Sequence, residues 1–77
     1  MTIKVIAFGQ IAEIAGKTNW ELKEIKNTEQ LAGILVKEFP VLKNLPIRFA
    51  VNLKLVHVPT EFQEDDVVAL LPPFSGG

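Results

Sequence analysis

The order of segments along the chain predicts an α+β fold, in which a mixed β-sheet is covered on one face by one long helix. Two observations predict it: an amphipathic segment of helical period occupies the middle of the chain, and β-branched segments lie on both sides of it. Length is a third, because 77 residues provide one small core and no second one. We therefore expect a single domain over residues 1–77, in which 72–77 form a flexible tail.

The first part of the chain is expected to form a strand, a short helix and a second strand. The segment from Ile3 to Phe8 is β-branched and aromatic, and Ile3 shares one face with every second residue after it. The run "GQIAEIAG" has helical spacing and closes on Gly16, a residue suited to a helix C-terminus. Alternation returns in "KTNWELKEI", which indicates a strand antiparallel to the first, with Trp20 in the core.

The clearest helix is the segment "NTEQLAGILVKEF". Asn27 or Thr28 can cap its start, and Pro40 stops it. The buried stripe of this helix is expected to consist of Leu31, Ile34 and Leu35.

Strands are expected again in the last third of the chain. After a linker, "VLKNLP", the run "IRFAVNLKLVHV" predicts one or two strands, with a turn or bulge at Asn52 between Phe49–Val51 and Leu53–Val58. A polar loop then precedes "VVALLP", whose apolar run is typical of a fully buried central strand. This order of elements suits the β-grasp, or ubiquitin-like, fold, with the tail protruding from the last strand.

Composition excludes several classes of protein. Apolar residues make up 48% of the chain and charged residues 22%, which is typical of a globular domain rather than a disordered one. A net charge of −1 lacks the basic footprint of a nucleic-acid binder. No signal peptide and no run of about 20 apolar residues is found, so we expect a cytoplasmic protein without membrane contact. The chain has no Cys, so the core must be held by packing alone.

The C-terminal run "LLPPFSGG" is suited to presenting the chain end to another molecule. Pro72 and Pro73 favour an extended course that leads away from the domain. The four residues beyond them reach about 13 to 14 Å when extended. Gly76 and Gly77 have no Cβ, so this end can pass through a slot too narrow for other residues.

The group at the end of this stalk needs activation before it can react. An α-carboxylate is ionised at pH 7 and resists nucleophilic attack. Once converted into an acyl phosphate or adenylate, it can be captured by an amine, a thiol or a sulfur donor. The pattern therefore predicts a carboxylate that enters another protein's active site.

The chain resembles a known family over nearly its whole length. Its end, "VNLKLVHVPTEFQEDDVVALLPPFSGG", and its start, "IKVIAFGQIAEIAGK", are similar to the small subunits of molybdopterin synthase, which are ubiquitin-like sulfur carriers. The specific features are Val51–Asn52, the acidic turn before the last strand, and the closing two prolines, Phe74, Ser75 and two glycines. Two features depart from the family: Glu64 replaces the first acid of a turn that here lacks glycine, and Phe74 replaces an aliphatic residue.

The resemblance implies a mechanism in which the chain is a co-substrate that binds no cofactor or metal and is not catalytic alone. An E1-like enzyme would adenylate Gly77 with ATP, and a sulfur donor would convert the adenylate into a thiocarboxylate. The tail, with Phe74, Ser75 and Gly76, would enter the large subunit of molybdopterin synthase. There the sulfur would pass to cyclic pyranopterin monophosphate, in an assembly expected by analogy to be a heterotetramer.

A docking partner requires an exposed apolar surface, for which Phe8, Leu55 and Leu71 are the candidates. The family's partner-facing positions favour the pair Phe8 and Leu71. The strand pattern alone leaves open whether the three residues form an exposed patch or belong to the core.

The other polar residues of the sequence do not indicate a catalytic or metal site. His57 is the only histidine, without a second catalytic group nearby, and the acidic cluster of Glu61, Glu64, Asp65 and Asp66 is read as a solvated turn rather than a cation site.

Three functions remain as alternatives: a ubiquitin-like modifier that joins Gly77 to lysines of target proteins, a thiamine-pathway sulfur carrier, and an interaction module with an inert end. Thiamine carriers tend to be shorter and to lack the "PPFSGG" spacer.

Overall fold

The computed structural model describes residues 1–56 and 59–72, and the statements below concern those residues. The elements follow one another along the chain as five strands, two α-helices and one 3₁₀ helix. They are β1 (Thr2–Ala7), α1 (Gly9–Ala15), β2 (Asn19–Lys23), α2 (Thr28–Glu38), the 3₁₀ helix (Pro40–Asn44), β3 (Arg48–Val51), β4 (Lys54–Val56) and β5 (Val67–Leu71).

The strands form one mixed sheet in the order β2-β1-β5-β3-β4. β1 is antiparallel to β2 and parallel to β5, and β3 is antiparallel to both β4 and β5. The predicted α+β class and the predicted central position of the last strand are therefore confirmed.

The core lies between the inner face of the sheet and α2. Alternation along the strands places every second side chain of β1 and β5 on this face, where Val5 and Val68 are fully buried. From α2, Leu31 and Leu35 pack into the same cluster, whereas Ile34 is only half-buried at its edge. The buried cluster comprises Ile3, Val5, Ala7, Ile11, Ile25, Leu31, Leu35, Leu42, Phe49, Phe62, Val68 and Leu70.

Local signals define the ends of both helices as expected. The backbone N–H of Gln30 donates to Asn27 Oδ1 at 2.8 Å, so Asn27 is the N-cap of α2. The side-chain oxygen of Gln30 accepts in turn from the N–H of Lys26 at 2.7 Å, which satisfies a second free donor. Gly16 ends α1 in the left-handed conformation, with φ of 75°. α2 ends at Glu38, two residues before Pro40.

Two expectations for this part of the fold are wrong. The "VVALLP" strand is central but not fully buried: Val68 and Leu70 are buried, while Val67, Ala69 and Leu71 are half-buried. The reason is that α2 covers only one face of the sheet, so alternate residues of β5 face outward. The first four residues of the predicted linker "VLKNLP" instead lie in the 3₁₀ helix, which places Leu42 in the core.

The turn between β3 and β4 is a two-residue connection. Asn52 and Leu53 both have positive φ, of 50° and 73°, which is the conformation that tight hairpins require. Asn52 also anchors the turn to β5, because its Oδ1 accepts from the N–H of Val67 at 3.0 Å and its Nδ2 donates to Asp66 Oδ1 at 2.9 Å. Leu53 is 99% exposed and belongs to the turn, so the predicted strand from Leu53 to Val58 begins one residue later, at Lys54.

The two helices of the described ranges are short, and neither has the length and apolarity needed to cross a membrane.

Leu53→Gly is expected to raise the free energy of unfolding by about 0.5 to 1 kcal/mol, because glycine adopts positive φ without the steric cost that leucine pays. The measurement is thermal unfolding followed by circular dichroism, with a rise in melting temperature of a few degrees. Lys54→Gly is the matched control, since Lys54 lies in β4, where glycine should destabilise. Equal shifts in the two variants, or a fall in the melting temperature of the Leu53→Gly variant, would contradict the account of this turn.

Candidate functional site

The tail begins where the central strand ends. At this end of β5, Ala7 of β1 lies opposite Leu70 and Arg48 of β3 lies opposite Leu71. The N–H of Phe8 donates to the carbonyl of Leu70 at 3.4 Å, which extends the ladder one residue beyond β1. Because strands on both sides hold β5, its last residues have a fixed place from which the tail leaves.

Pro72 follows β5 and is half-buried. The predicted site residues beyond it, Phe74, Ser75, Gly76 and Gly77, lie outside the described residues, as does Pro73. The structure therefore places the origin of the tail beside the end of β1.

The sheet has a second, outward face opposite α2, which we call the outer face. A row of paired residues crosses it, from Ile6 through Ala69 and Ala50 to Leu55. This row is apolar throughout and has small alanine side chains in the middle. The outer face therefore has a shallow floor between two larger apolar side chains.

The three docking candidates all belong to this outer face rather than to the buried cluster. Phe8 is 48% exposed and Leu55 is 52% exposed, while Leu71 is half-buried. Phe8 directly follows β1 and Leu71 is the last residue of β5, and since Ala7 lies opposite Leu70, the two side chains are placed next to the origin of the tail. Leu55 lies on β4, beyond β3, at the far side of the alanine floor.

An open groove of about 800 Å³ continues the outer face from β5 towards the edge strand β2. Its lining includes Lys4, Ile6, Phe8, Asn19, Glu21 and Val67. The groove is thus apolar at Ile6, Phe8 and Val67, and each of the two strands contributes one charged side chain, Lys4 from β1 and Glu21 from β2.

Sequence reasoning did not single out Arg48, Ala50 or Ala69 as members of this surface. Arg48 is exposed and lies opposite Leu71, so it borders the origin of the tail. Ile6 shares a face with Phe8 because side chains alternate along a strand, and this alternation alone predicts that Ile6 lies on the same surface as Phe8. For the two alanines the sequence has no such pattern, because their place on the outer face depends on which strands pair with one another.

The acidic cluster shapes the turn that leads into β5. Asp66 Oδ2 accepts from the N–H of Gln63 at 2.8 Å, and Glu64 Oε1 accepts from the N–H of Thr2 at 3.1 Å. Asp65 adopts a positive φ of 67°, which a glycine would adopt without strain. No group of three or more His, Asp or Glu suited to a metal ion occurs in residues 1–56 and 59–72. His57 lies outside the described residues.

Trp20 packs against the core cluster from β2, as predicted, and is half-buried. Its ring lies 4.7 Å from the ammonium group of Lys17, measured to the ring centroid. Lys17 in turn lies 4.0 Å from a carboxylate oxygen of Glu38. These contacts connect β2 to the C-terminal end of α2 and have no part in the tail.

Comparison with known proteins gives consistent similarities. A molybdopterin synthase sulfur carrier subunit from Chlamydomonas reinhardtii is 32% identical over 83 aligned positions, which span 100% of both chains. A chain in the solved complex of subunits 1 and 2 of the molybdopterin-converting factor from Helicobacter pylori is 30% identical, with a TM-score of 0.72 and 100% coverage of both chains.

Small archaeal modifier protein 1 from Methanosarcina acetivorans has the same fold, with a TM-score of 0.83 at 22% identity over 99% of this chain and 96% of that one. The sequence profile of the ThiS family matches residues 5–77, which include both the sheet and the C-terminal glycines. With nearly the whole sequence matched in this way, the chain belongs to the ThiS family.

Proposed function

We propose that this chain is the sulfur-carrying small subunit of a molybdopterin synthase and that Gly77 carries the sulfur. The observation that carries the proposal is the position of β5: the strand preceding the tail is central in the sheet, beside an exposed apolar surface. A rigid origin and an adjacent docking surface are what a domain needs in order to deliver its own C-terminus to a partner. Family membership and the similarity to the Chlamydomonas carrier support the same assignment.

The chemistry proposed for the tail has two steps on this chain. An E1-like enzyme transfers the AMP group of ATP to the carboxylate of Gly77 and releases pyrophosphate. A sulfur donor then displaces AMP and leaves a thiocarboxylate. The chain contributes the carboxylate. It also allows the carboxylate to enter a partner's active site, because Gly76 and Gly77 have no side chains to obstruct a narrow channel. The partner enzymes contribute the catalytic groups.

The second partner proposed is the large subunit of the synthase, which would receive the tail and transfer the sulfur to cyclic pyranopterin monophosphate. The similar chain from Helicobacter pylori belongs to a complex of subunits 1 and 2, which supports a pairing of this kind. Phe8 and Leu71 are proposed as the central docking residues, since both lie beside Pro72 on the outer face. Burying these two side chains would remove apolar surface from water, which stabilises the complex by about 25 cal/mol per Å² of buried area.

A ubiquitin-like modifier remains a second candidate because the small archaeal modifier protein from Methanosarcina acetivorans shares the fold. Both functions start from the same adenylate. They differ in the nucleophile, which is a sulfur donor for the carrier and a lysine amine for the modifier. A thiamine-pathway carrier would share the thiocarboxylate and differ in the acceptor of the sulfur.

The first test is the intact mass of the chain after incubation with ATP, a sulfur donor and an E1-like enzyme. We expect one oxygen atom to be replaced by one sulfur atom, because the terminal carboxylate becomes a thiocarboxylate. The matched control is the same chain with one alanine added after Gly77, which should keep its mass because the added residue displaces the reactive carboxylate. Sulfur gain in both chains, or in neither, would contradict the proposal. Lysine-linked conjugates without sulfur gain would indicate the modifier.

The second test concerns docking to the large subunit. Phe8→Ala and Leu71→Ala are each expected to raise the dissociation constant about tenfold or more, as loss of a central apolar anchor does. The measurement is isothermal titration calorimetry, with circular dichroism to verify folding.

Leu53→Ala is the matched control for docking, because Leu53 is 99% exposed but lies in the β3–β4 turn, at the opposite end of β5 from Pro72. Its effect on affinity should be less than about twofold. If folded Leu71→Ala and Phe8→Ala variants bind as tightly as the Leu53→Ala variant, the docking role of the outer face is refuted.

A further inference from the structure

Two segments leave the sheet side by side, one after β1 and one after β5. The strands are parallel, with Ala7 opposite Leu70, so the residues that follow them proceed in the same direction. The segment after β1 turns at once into α1, which begins at Gly9. The segment after β5 continues through Pro72 into the tail. Gly9 and Pro72 therefore meet where the two segments diverge.

Gly9 is suited to this place by both its backbone and its lack of a side chain. Its φ of +54° lies in the left-handed region that favours glycine. A Cβ at this residue would lie 3.5 Å from Pro72 Cγ, within van der Waals contact. A side chain at Gly9 would therefore reach the proline ring, and the bare glycine leaves that space free.

Backbone hydrogen bonds do not hold Pro72 to the end of β1. Proline has no N–H, so the ladder between β1 and β5 cannot continue through this residue. The N–H of Phe8, which bonds to the carbonyl of Leu70 at 3.4 Å, is the preceding ladder contact on this side. On the β1 side, the path of the chain at Pro72 therefore depends on the space that Gly9 leaves beside the ring.

We propose that Gly9 is a positioning residue for the C-terminal tail, because its lack of a side chain leaves free the space beside Pro72 from which the tail departs. This inference rests on the function proposed above. The five residues after Pro72 span about 17 Å when extended, so a turn of about 10° at Pro72 displaces their end by about 3 Å. Misplacement by about 1 Å can cost a reaction up to about 100-fold in rate.

Gly9 should therefore affect the turnover of the docked tail rather than docking itself. Docking of the folded domain on the E1-like enzyme governs KM, whereas the position of the tail in that enzyme's cavity governs kcat. A variant at Gly9 that alters only the tail path lowers kcat and leaves KM unchanged. A variant that merely weakens the fold lowers the amount of active protein without such a separation.

The chain offers a matched control at the other end of α1. Gly16 has φ of +75°, and a Cβ there would meet nothing within 4 Å. Asparagine is the non-glycine residue that best tolerates this conformation, so Gly9→Asn and Gly16→Asn carry similar backbone costs. Only the first places a side chain against Pro72.

The experiment measures thiocarboxylate formation by the full chain with ATP, a sulfur donor and an E1-like enzyme, over a range of chain concentrations. Gly9→Asn is expected to lower kcat about fivefold or more with KM changed less than about twofold. Gly16→Asn should leave both constants within about 1.5-fold of the unmodified chain. Gly9→Ala, which adds a single carbon at ordinary contact distance, should lie between the two and replaces Gly9→Asn if that variant does not fold.

A double-mutant cycle with Pro72→Ala tests the contact itself. Removing Cγ makes room for the new side chain, so the loss of kcat caused by Gly9→Asn should shrink in the Pro72→Ala background. The effect of Gly16→Asn should be the same in both backgrounds.

The outcomes separate this inference from the function on which it rests. If the unmodified chain forms no thiocarboxylate, the proposed function fails, and the positioning role is then judged from ¹⁵N–¹H spectra. There Gly9→Asn should shift the amide signals of Ser75, Gly76 and Gly77 more than Gly16→Asn does. If the unmodified chain is active and the two asparagine variants have equal kcat, the inference is overturned. Equal spectral shifts in an inactive chain overturn it as well.

Discussion

The pairing of β5 with strands on both sides is the constraint on which the rest of this structure depends. At its start, Asn52 bonds to both backbone groups of Val67, accepting through its side chain at 3.0 Å and donating through its N–H to the carbonyl at 2.8 Å. At its end, β5 lies between Ala7 of β1 and Arg48 of β3. A slip of one residue would exchange its buried and exposed side chains, so the core itself enforces the register.

This register assigns two different tasks to alternate residues of one short strand. Val68 and Leu70 are fully buried and hold the inner face against α2. Ala69 and Leu71 contribute to the outer face, where Phe8 remains about half exposed. A domain of 77 residues buries a small core and is only marginally stable. In such a domain, one strand both completes the core and anchors the tail. The C-terminal tail thereby follows a central strand rather than an edge strand.

Local chemistry made much of the fold predictable from sequence. Asn27 and Pro40 identified the limits of α2, because each acts on its own neighbours in the chain. Asn52 identified the hairpin turn, because asparagine tolerates the positive φ that this turn requires. The exposure of alternate residues in "VVALLP" was not predictable, since an apolar run does not reveal how many faces of a strand other elements cover. The proximity of Gly9 to Pro72 was equally hidden, because only the parallel pairing of β1 and β5 brings residues so far apart in sequence together.

The parallel alignment of β1 and β5 also separates the two ends of the described chain. Met1 lies at the start of β1, where its ammonium group is 3.8 Å from Glu64, and Pro72 lies beyond the opposite ends of both strands. Six residues of β1 place about 20 Å between them. A fluorophore, an affinity tag or a solid support attached ahead of Met1 would consequently lie at the end of the sheet opposite Pro72. Immobilised domains would therefore present the end of β5 and Pro72 on the side away from the support.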